Sequence, residues 1–307
     1  MTPIPLILDT DPGIDDAIAI MAAIAAPRID LLGLTTVFGN VPVATATRNS
    51  QFLAVTAGAA VPVAEGAARS LVQPPPPHPD FVHGKGGLGA LDVPDQGPPD
   101  PRDAATFIAE TAAAHAGRLV LLAVGPLTNL AEALERSPAI AGQVARLVVM
   151  GGSLRHRGNV SPRAEANFWQ DPHAAARVLA AAWPVTIVGL DVTETVRLYP
   201  EDAARLRAAA PRCGALLADA FAHYAAFHAE SRGFDGCYLH DPAALVAVTD
   251  PERFEIWRTR VTVATDDTRP GALIEDAAGH AVDVCMSADG PGIRRILIET
   301  LTTCGLP

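Results

Sequence analysis

Four aspartates lie within eight residues near the start of the chain: Asp9, Asp11, Asp15 and Asp16. Four like charges gathered in one crevice repel one another, so they need a cation, a shared proton or hydrogen bonds. A hard cation with oxygen ligands is the simplest answer, and carboxylates suit Ca²⁺ or Mg²⁺. The spacing therefore predicts a divalent metal site.

The elements around these aspartates predict how they would meet. An apolar strand over residues 6–8 ends at a Pro-Gly turn, and an alanine-rich helix follows from Ile14 until Pro27 stops it. The first two aspartates then leave the carboxyl end of a strand, while the other two begin a helix, where its dipole favours negative charge. Ligands of open α/β sheets bind at that edge.

These aspartates have two other possible interpretations, a helix cap and an EF-hand loop. Asp15 or Asp16 alone would more often be a helix cap than a ligand. An EF-hand does not fit, because counting twelve positions from either of the first two aspartates reaches Ile20 or Ala22 and not the required Glu. Four carboxylates around one Pro-Gly turn favour the metal site.

The composition limits the class of protein. The chain has 307 residues, of which 49% are hydrophobic and 19% charged, so it can bury a large core and is not globally disordered. Large α/β enzymes of this length often form one domain, and we expect a single domain over residues 1–307. A net charge of −11 argues against a nucleic-acid polymer as partner and favours a small ligand.

The location is predicted from the N-terminus, the apolar runs and the cysteines. Residues 1–9 contain no basic region typical of a signal peptide, and the longest apolar runs are too short to span a bilayer. The cysteines form no CxxC pair, which is typical of a reducing cytosol: Cys213, Cys237, Cys285 and Cys304. We therefore expect a cytoplasmic protein without membrane contact and without a catalytic thiol.

Strands and helices alternate along the chain without an internal repeat. Strands are predicted over residues 29–38, 118–124, 146–150, 184–189, 254–265 and 281–285, with a possible short one at 61–63. Helices are predicted over residues 44–58, 103–116 and 203–232, and from about residues 172, 240 and 292. This order predicts an α/β fold with an open, mainly parallel twisted sheet and helices on both faces.

Two further segments are predicted to lie over the ligand. Residues 73–79 contain five prolines and lead into a glycine-rich stretch, so residues 73–90 are expected to form a mobile loop in which His83 is the functional candidate and Lys85 a weaker one. The helical region over residues 203–235 places Phe221, Tyr224 and His228 on one face. That face indicates core packing or, alternatively, a flap over a flat aromatic ligand.

Several separated segments resemble one family, the inosine-uridine preferring nucleoside hydrolases. In chain order they are DTDPGIDDA, TVFGN, HGKGGLG, GPLTN, VVMGG, GNVSPRAEAN and LHDPAA. The combination DTDPGxDDA with a downstream HDP is highly specific, whereas each glycine-containing piece alone is weak. The resemblance implies a nucleoside-hydrolase fold with a Rossmann-like core and a Ca²⁺-dependent enzyme that splits a ribonucleoside into ribose and a free base.

The resemblance also implies roles for individual residues. The carboxylates of Asp11, Asp16 and Asp241 and the backbone carbonyl of Thr128 would hold one Ca²⁺ per subunit, with Asp9 behind them. Asp11 would also take a proton from the water on the metal. His240 would act as the acid for the leaving base. The expected substrate-binding residues are Asp15, Asn40, His83, Met150, Asn159, Glu165, Asn167, Tyr224 and His228. A homodimer or homotetramer is expected from the same resemblance.

General chemistry agrees with these roles. Cleavage of an N-glycosidic bond builds oxocarbenium character on the ribose, which nearby anionic groups stabilise. A carboxylate beside the water is a natural proton acceptor, and amide and acid side chains suit the hydroxyls of a sugar. Purine and pyrimidine nucleosides both remain candidate substrates at this stage.

Two other functions were compared with this one. A haloacid-dehalogenase-like phosphatase would share the Asp9-Thr10-Asp11 start, but it would require Thr or Val at position 13, where this chain has Gly. A non-catalytic metal-dependent protein that binds ribose or nucleosides would keep Asp16 and Asp241 and need no base at Asp11.

Overall fold

In this computed structural model, which describes residues 2–74, 77–303 and 305–307, one large sheet forms the centre of the chain. The strands are β1 (Ile4–Thr10), β2 (Ile29–Thr36), β3 (Val63–Glu65), β4 (Val120–Ala123), β5 (Arg146–Met150), β6 (Val185–Val188), β7 (Arg197–Leu198), β8 (Cys237–Tyr238), β9 (Phe254–Val263), β10 (Leu273–Glu275) and β11 (His280–Ala288). Among the described residues, nine of them form one sheet in the order β10-β9-β11-β6-β5-β4-β1-β2-β3, while β7 pairs with β8 separately.

The seven strands from β11 to β3 run parallel, and only β9 and β10 pair antiparallel at the other edge. Strand β1 pairs with β2 on one side and with β4 on the other, so Asp9 lies opposite both Thr35 and Ala123. The carboxyl ends of these strands therefore lie at one edge of the sheet, where the sequence predicts the ligand site. The predicted open, mainly parallel sheet is confirmed.

The helices cover both faces of this sheet. They are α1 (Ile14–Ala25), α2 (Val43–Thr56), α3 (Asp80–His83), α4 (Ala104–Ala114), α5 (Thr128–Arg136), α6 (Ile140–Gln143), α7 (Ala166–Gln170), α8 (Pro172–Ala180), α9 (Leu190–Thr193), α10 (Pro200–Ala209), α11 (Cys213–Arg232), α12 (His240–Thr249) and α13 (Gly290–Thr303), with a 3₁₀ turn at Pro251–Arg253.

Two apolar cores lie on opposite faces of the sheet. Leu6 and Leu8 of β1 belong to the core that includes α1, α11, α12 and α13, whereas Ile7 belongs to the core that includes α4, α5 and α8. Side chains alternate along a strand, so one apolar strand contributes to both cores. This explains why the parallel strands read as continuous apolar runs.

The structure differs from the sequence prediction at several short elements that were not predicted, among them β7, β8 and α7, and two further differences have a clear physical reason. The helix expected over residues 203–232 is two helices, α10 and α11, separated around Pro211. The residue before a proline is disfavoured in a helix, so the chain turns there. Strand β10 was not predicted, because three residues carry too little pattern; it is held by its pairing with Val261, Thr262 and Val263 of β9.

The glycine-rich half of the predicted loop 73–90 packs against the rest of the fold. The side-chain amide of Asn49 donates to the carbonyl of Gly86 at 2.8 Å, and Leu88 is fully buried. The other half includes Pro75 and Pro76, which lie outside the described residues.

The described cysteines Cys213, Cys237 and Cys285 are buried free thiols, whereas Cys304 lies outside the described residues. A search of the described helices finds none with both the length and the apolar character needed to cross a bilayer.

The contact between β2 and α4 gives a test of the fold. Gly33 follows a bulge in β2, and a Cβ there would lie 2.3 Å from Cζ of Phe107. Gly33→Ala should lower the free energy of unfolding by about 1–3 kcal/mol, because it overpacks the core. Urea denaturation measures the change.

Gly142→Ala is the matched control for this substitution, because nothing lies within 4 Å of a Cβ at that helical position. It should be neutral or stabilise by about 0.5–1 kcal/mol. Equal unfolding midpoints for Gly33→Ala and wild type would contradict the packing of α4 on β2.

Candidate active site

A cavity of about 640 Å³ lies at the carboxyl edge of the sheet. It brings together eleven of the predicted site residues, which come from seven separate stretches of the chain. Those that line it are Asp15, Asn40, His83, Met150, Asn159, Glu165, Asn167, Tyr224, His228, His240 and Asp241. Asp11 and Asp16 are fully buried just behind this lining.

Three carboxylates gather at the base of the cavity. Asp15 and Asp16 lie in the first turn of α1, and Asp241 lies in the first turn of α12. These side chains are buried, and each offers a carboxylate oxygen within 4.8 Å of those of the other two. Burial, followed by the charge of Asp16, raises the pKa of Asp15, and burial followed by Asp15 and Asp16 raises the pKa of Asp241. Such a group fits a hard divalent cation.

Hydrogen bonds fix the carboxylate of Asp16. It accepts from Thr10 Oγ1 at 2.6 Å, from the backbone N–H of Gly13 at 2.9 Å and from Asn40 Nδ2 at 3.2 Å. The bond from Gly13 caps the start of α1. Asp16 therefore both caps the helix and belongs to the acidic group, so the two interpretations of its position are compatible.

Asp11 has one carboxylate oxygen without a partner. Its Oδ2 accepts from the backbone N–H of Asn40 at 2.6 Å, whereas its buried Oδ1 has no hydrogen-bond partner. A Cβ at Gly39 would lie 1.9 Å from Oδ2, and a Cβ at Gly125 would lie 2.7 Å from Oδ1, so glycines make room for this carboxylate. Burial, followed by the charge of Asp16, raises its pKa well above the usual value. A cation or a proton donor is the missing partner.

Asp9 supports the site from behind. Its Oδ1 accepts from Thr35 Oγ1 at 2.5 Å and from Asn129 Nδ2 at 2.7 Å. Burial raises the pKa of Asp9 to about 7. Asn129 also donates to the carbonyl of Thr36 and accepts from the N–H of Ala67, so it ties β1, β2 and α5 together. The place of Asp9 behind the metal ligands stays a prediction.

The structure does not bring Thr128 to the cavity. It begins α5, where a carbonyl is directed along the helix, and its hydroxyl donates to Asp171 at 2.8 Å. Val124, the first residue after β4, lines the cavity instead. Its carbonyl accepts from Asn167 Nδ2 at 2.8 Å, and the next residue, Gly125, lies against Asp11. The position of Thr128 therefore does not fit the predicted carbonyl ligand, and Val124 is the better candidate.

The polar segment before α8 forms one wall. Glu165 caps α7 by accepting from the N–H of Asn167 at 2.9 Å, and it also accepts from the N–H of Gly152 at 2.9 Å. Burial raises the pKa of Glu165 to about 7. Asn167 Nδ2 also donates to the carbonyl of Met150 at 3.0 Å, whereas Asn159 is exposed at the rim. These acid and amide groups suit a ligand with several hydroxyls.

Aromatic rings and histidines form the opposite wall. The ring of Tyr224 lies 5.2 Å from that of His83 and 4.4 Å from that of His228, measured between centroids. Phe221, predicted on the same helical face, is buried in the core and does not line the cavity. The face thus serves both of the predicted uses: packing at Phe221 and the cavity wall at Tyr224 and His228.

Burial disfavours the charged form of the histidines in this wall. Burial, followed by His228, lowers the pKa of His83 and of His240 to about 3, and burial lowers that of His228 to about 4. Nδ1 of His83 accepts from the N–H of Ile14, so its proton lies on Nε2. His228 Nδ1 lies 2.9 Å from the carbonyl of Tyr224, to which it donates, and His240 Nδ1 lies 2.8 Å from Thr193 Oγ1.

Sequence reasoning missed several lining residues, among them His78, Trp169, Gln170, Glu194, Arg232 and Tyr238. The Nδ1 atom of His78 donates to the carbonyl of Gly39 at 2.9 Å. Glu194 and Arg232 approach to 3.9 Å across the rim. These residues come from separate elements, and no local pattern distinguishes them from ordinary surface residues.

Comparisons of the sequence with known proteins indicate the family of the chain. The profile of the inosine-uridine preferring nucleoside hydrolases matches residues 6–295. Uridine nucleosidase 1 of Arabidopsis thaliana is 41% identical over 276 residues, covering 88% of this chain and 81% of that protein. The non-specific ribonucleoside hydrolase RihC of Escherichia coli is 38% identical over 306 residues, covering 97% of this chain and 98% of that protein.

Solved structures agree as well. The plant nucleoside hydrolase PpNRh1 superposes with a TM-score of 0.94 at 34% identity, covering 98% of this chain and 99% of that one. The purine-preferring ribonucleoside hydrolase from Gardnerella vaginalis gives a TM-score of 0.93 at 30% identity and covers 98% of each chain. The profile match and these relatives show that the chain belongs to the inosine-uridine preferring nucleoside hydrolase family and is a ribonucleoside-acting hydrolase.

Proposed function

We propose that the chain hydrolyses the N-glycosidic bond of ribonucleosides in a Ca²⁺-dependent reaction and releases ribose and a free nucleobase. The observation that carries this proposal is the unpartnered carboxylate oxygen of Asp11, which is buried beside the group of Asp15, Asp16 and Asp241 at the base of the cavity. These carboxylates would hold one cation and accept one proton, which are the two requirements of this hydrolysis.

The donor set fits calcium. Asp11, Asp16 and Asp241 would hold the ion together with the carbonyl of Val124, which gives an oxygen-only set rich in carboxylates. A bound Ca²⁺ would supply Lewis-acid chemistry and orient the reacting groups. It would also offset the mutual repulsion that raises the pKa of Asp15 and of Asp241.

Asp11 is the proposed general base. As the oxygen of the attacking water forms its bond to the anomeric carbon, the N-glycosidic bond breaks and its electron pair passes to the base. One proton of the water passes to Asp11. The remaining O–H becomes the anomeric hydroxyl of ribose, so the atoms balance. Nearby carboxylates stabilise the positive charge that develops on the ribose.

The sugar and the base are assigned to opposite walls. Asp15, Asn40 and Asn167 would bind the 2′-hydroxyl side, while Met150, Asn159 and Glu165 would bind the rest of the ribose. The base would lie among His83, Tyr224, His228 and His240, which line the cavity. The described part of the loop over residues 73–90 and the helical region 203–235 would cover it.

His240 is the proposed group that meets the departing base. Because burial disfavours the charged imidazole, its ring N–H would donate a hydrogen bond to the base as negative charge develops there. The hydroxyl of Thr193 fixes the ring. The homodimeric or homotetrameric state and the cytoplasmic location stay predictions of the sequence.

Asp11→Asn tests the base. The substitution keeps an oxygen for the N–H of Asn40 but removes the proton acceptor, so kcat for ribose release should fall by about 10²- to 10⁴-fold with KM nearly unchanged. Asp95→Asn is the control, since that exposed carboxylate only accepts from the N–H of Gly97. Wild-type turnover in Asp11→Asn would remove Asp11 as the base.

His240→Phe tests the leaving-group role. For nucleosides with a basic leaving group, kcat should fall by about 10²-fold or more, because the base no longer receives a hydrogen bond. For a riboside with an acidic phenol as leaving group, kcat should fall little, because the phenolate departs without a hydrogen-bond donor. The exposed His280 gives the control, His280→Phe. Equal losses for both substrate types would contradict the assignment.

A further inference from the structure

Gln170 carries an unexplained acceptor in the active site. It is the last residue of α7, lines the cavity and is only 6% exposed. Its side-chain oxygen is buried and has no hydrogen-bond partner. A buried amide oxygen without a donor is unfavourable, and a donor that enters the cavity would satisfy it.

The position of this oxygen relates it to Asp11. The point that a Cβ of Gly39 would occupy lies 3.0 Å from Gln170 Oε1 and 1.9 Å from Asp11 Oδ2. The neighbouring Asn40 donates elsewhere: its backbone N–H donates to Asp11 and its side-chain amide donates to Asp16. Gln170 Oε1 and Asp11 Oδ2 are therefore neighbouring acceptors, and Oδ2 keeps a lone pair beside the one that Asn40 uses, so both oxygens can accept a hydrogen bond from the same guest.

The backbone around Gln170 is held from two sides. The side-chain amide of Gln73 donates to the carbonyls of Trp169 at 2.9 Å and Gln170 at 3.1 Å. The next residue, Asp171, caps α8 by accepting from the N–H of Ala174 and also binds Thr128. The amide group is thus presented from a fixed helix end, as a positioning role requires.

We propose that the side-chain carbonyl of Gln170 holds the attacking water beside Asp11, an inference that rests on the proposed hydrolysis. Water has two protons, so it can donate to Asp11 and to Gln170 at the same time, whereas a sugar hydroxyl has one. A lone pair of the water oxygen would then be free for the anomeric carbon. Asp11 takes the first proton as the bond to the anomeric carbon forms. Gln170 accepts a hydrogen bond from the second, which stays on the product hydroxyl.

Competition between water and methanol tests this role. Methanol has a single O–H, so it can satisfy Asp11 but leaves Gln170 without a donor. Wild type should therefore favour water, and ribose should exceed methyl riboside relative to the concentrations of the two nucleophiles. Gln170→Met keeps the volume but removes the acceptor, so hydrolysis should slow more than methanolysis and the product ratio should shift toward methyl riboside.

The product ratio is independent of the amount of active enzyme, so partial misfolding of the variant does not affect it. In water alone, kcat of Gln170→Met should fall roughly 10- to 100-fold with KM nearly unchanged. Gln96→Met is the matched control, because that amide only donates to the carbonyl of Pro94 at the surface. It should leave both the rate and the ratio at wild-type values.

Two results would overturn the inference. A fall in both products by the same factor would mean that the amide acts on Asp11 or on packing and does not hold the water. A rise in KM with unchanged kcat would mean that Gln170 binds the ribose. Both results leave nucleoside hydrolysis intact. Failure of the proposed function is distinct, since wild type would then release no ribose from any ribonucleoside.

Discussion

Repulsion among buried carboxylates is the constraint on which the active site depends. Asp11, Asp15, Asp16 and Asp241 lie buried together, and burial with mutual repulsion raises the pKa of three of them, Asp11, Asp15 and Asp241. Neither a helix cap nor a core needs such a group. A parallel sheet, two helix N-termini and several close glycines hold these carboxylates together. Such burial of like charges is expected only where a cation or a reacting group compensates the charge.

Much of this arrangement could be predicted from local patterns. The short apolar run before Asp9, the Pro-Gly turn and the helix after it fix where the first four aspartates lie relative to one strand end. Because the carboxyl ends of parallel strands lie at one edge of the sheet, Asn40 after β2 and Met150 at the end of β5 line the same cavity as these aspartates. The distant HDP segment joins them because α12 packs on α1. The family resemblance, and not periodicity, predicted that Asp241 would meet Asp11 and Asp16.

The remaining features depend on contacts that no local pattern encodes. Val124 and Thr128 both follow β4, and which carbonyl faces the cavity depends on where the strand ends and α5 begins, a boundary that sequence places only within a few residues. In the sequence Gln170 is an ordinary polar residue, and only the folded structure shows that its side-chain oxygen lies near Gly39. The break at Pro211 and the three-residue β10 similarly depend on local stereochemistry and pairing.

Crystallographic location of calcium by anomalous scattering tests the central claim most directly. Crystals grown with excess Ca²⁺ should show one strong peak at about 2.3–2.6 Å from oxygens of Asp11, Asp16 and Asp241 and from the carbonyl of Val124. That result would explain why these carboxylates are buried together. An empty position there at saturating Ca²⁺, or a peak bound by other residues, would contradict the account.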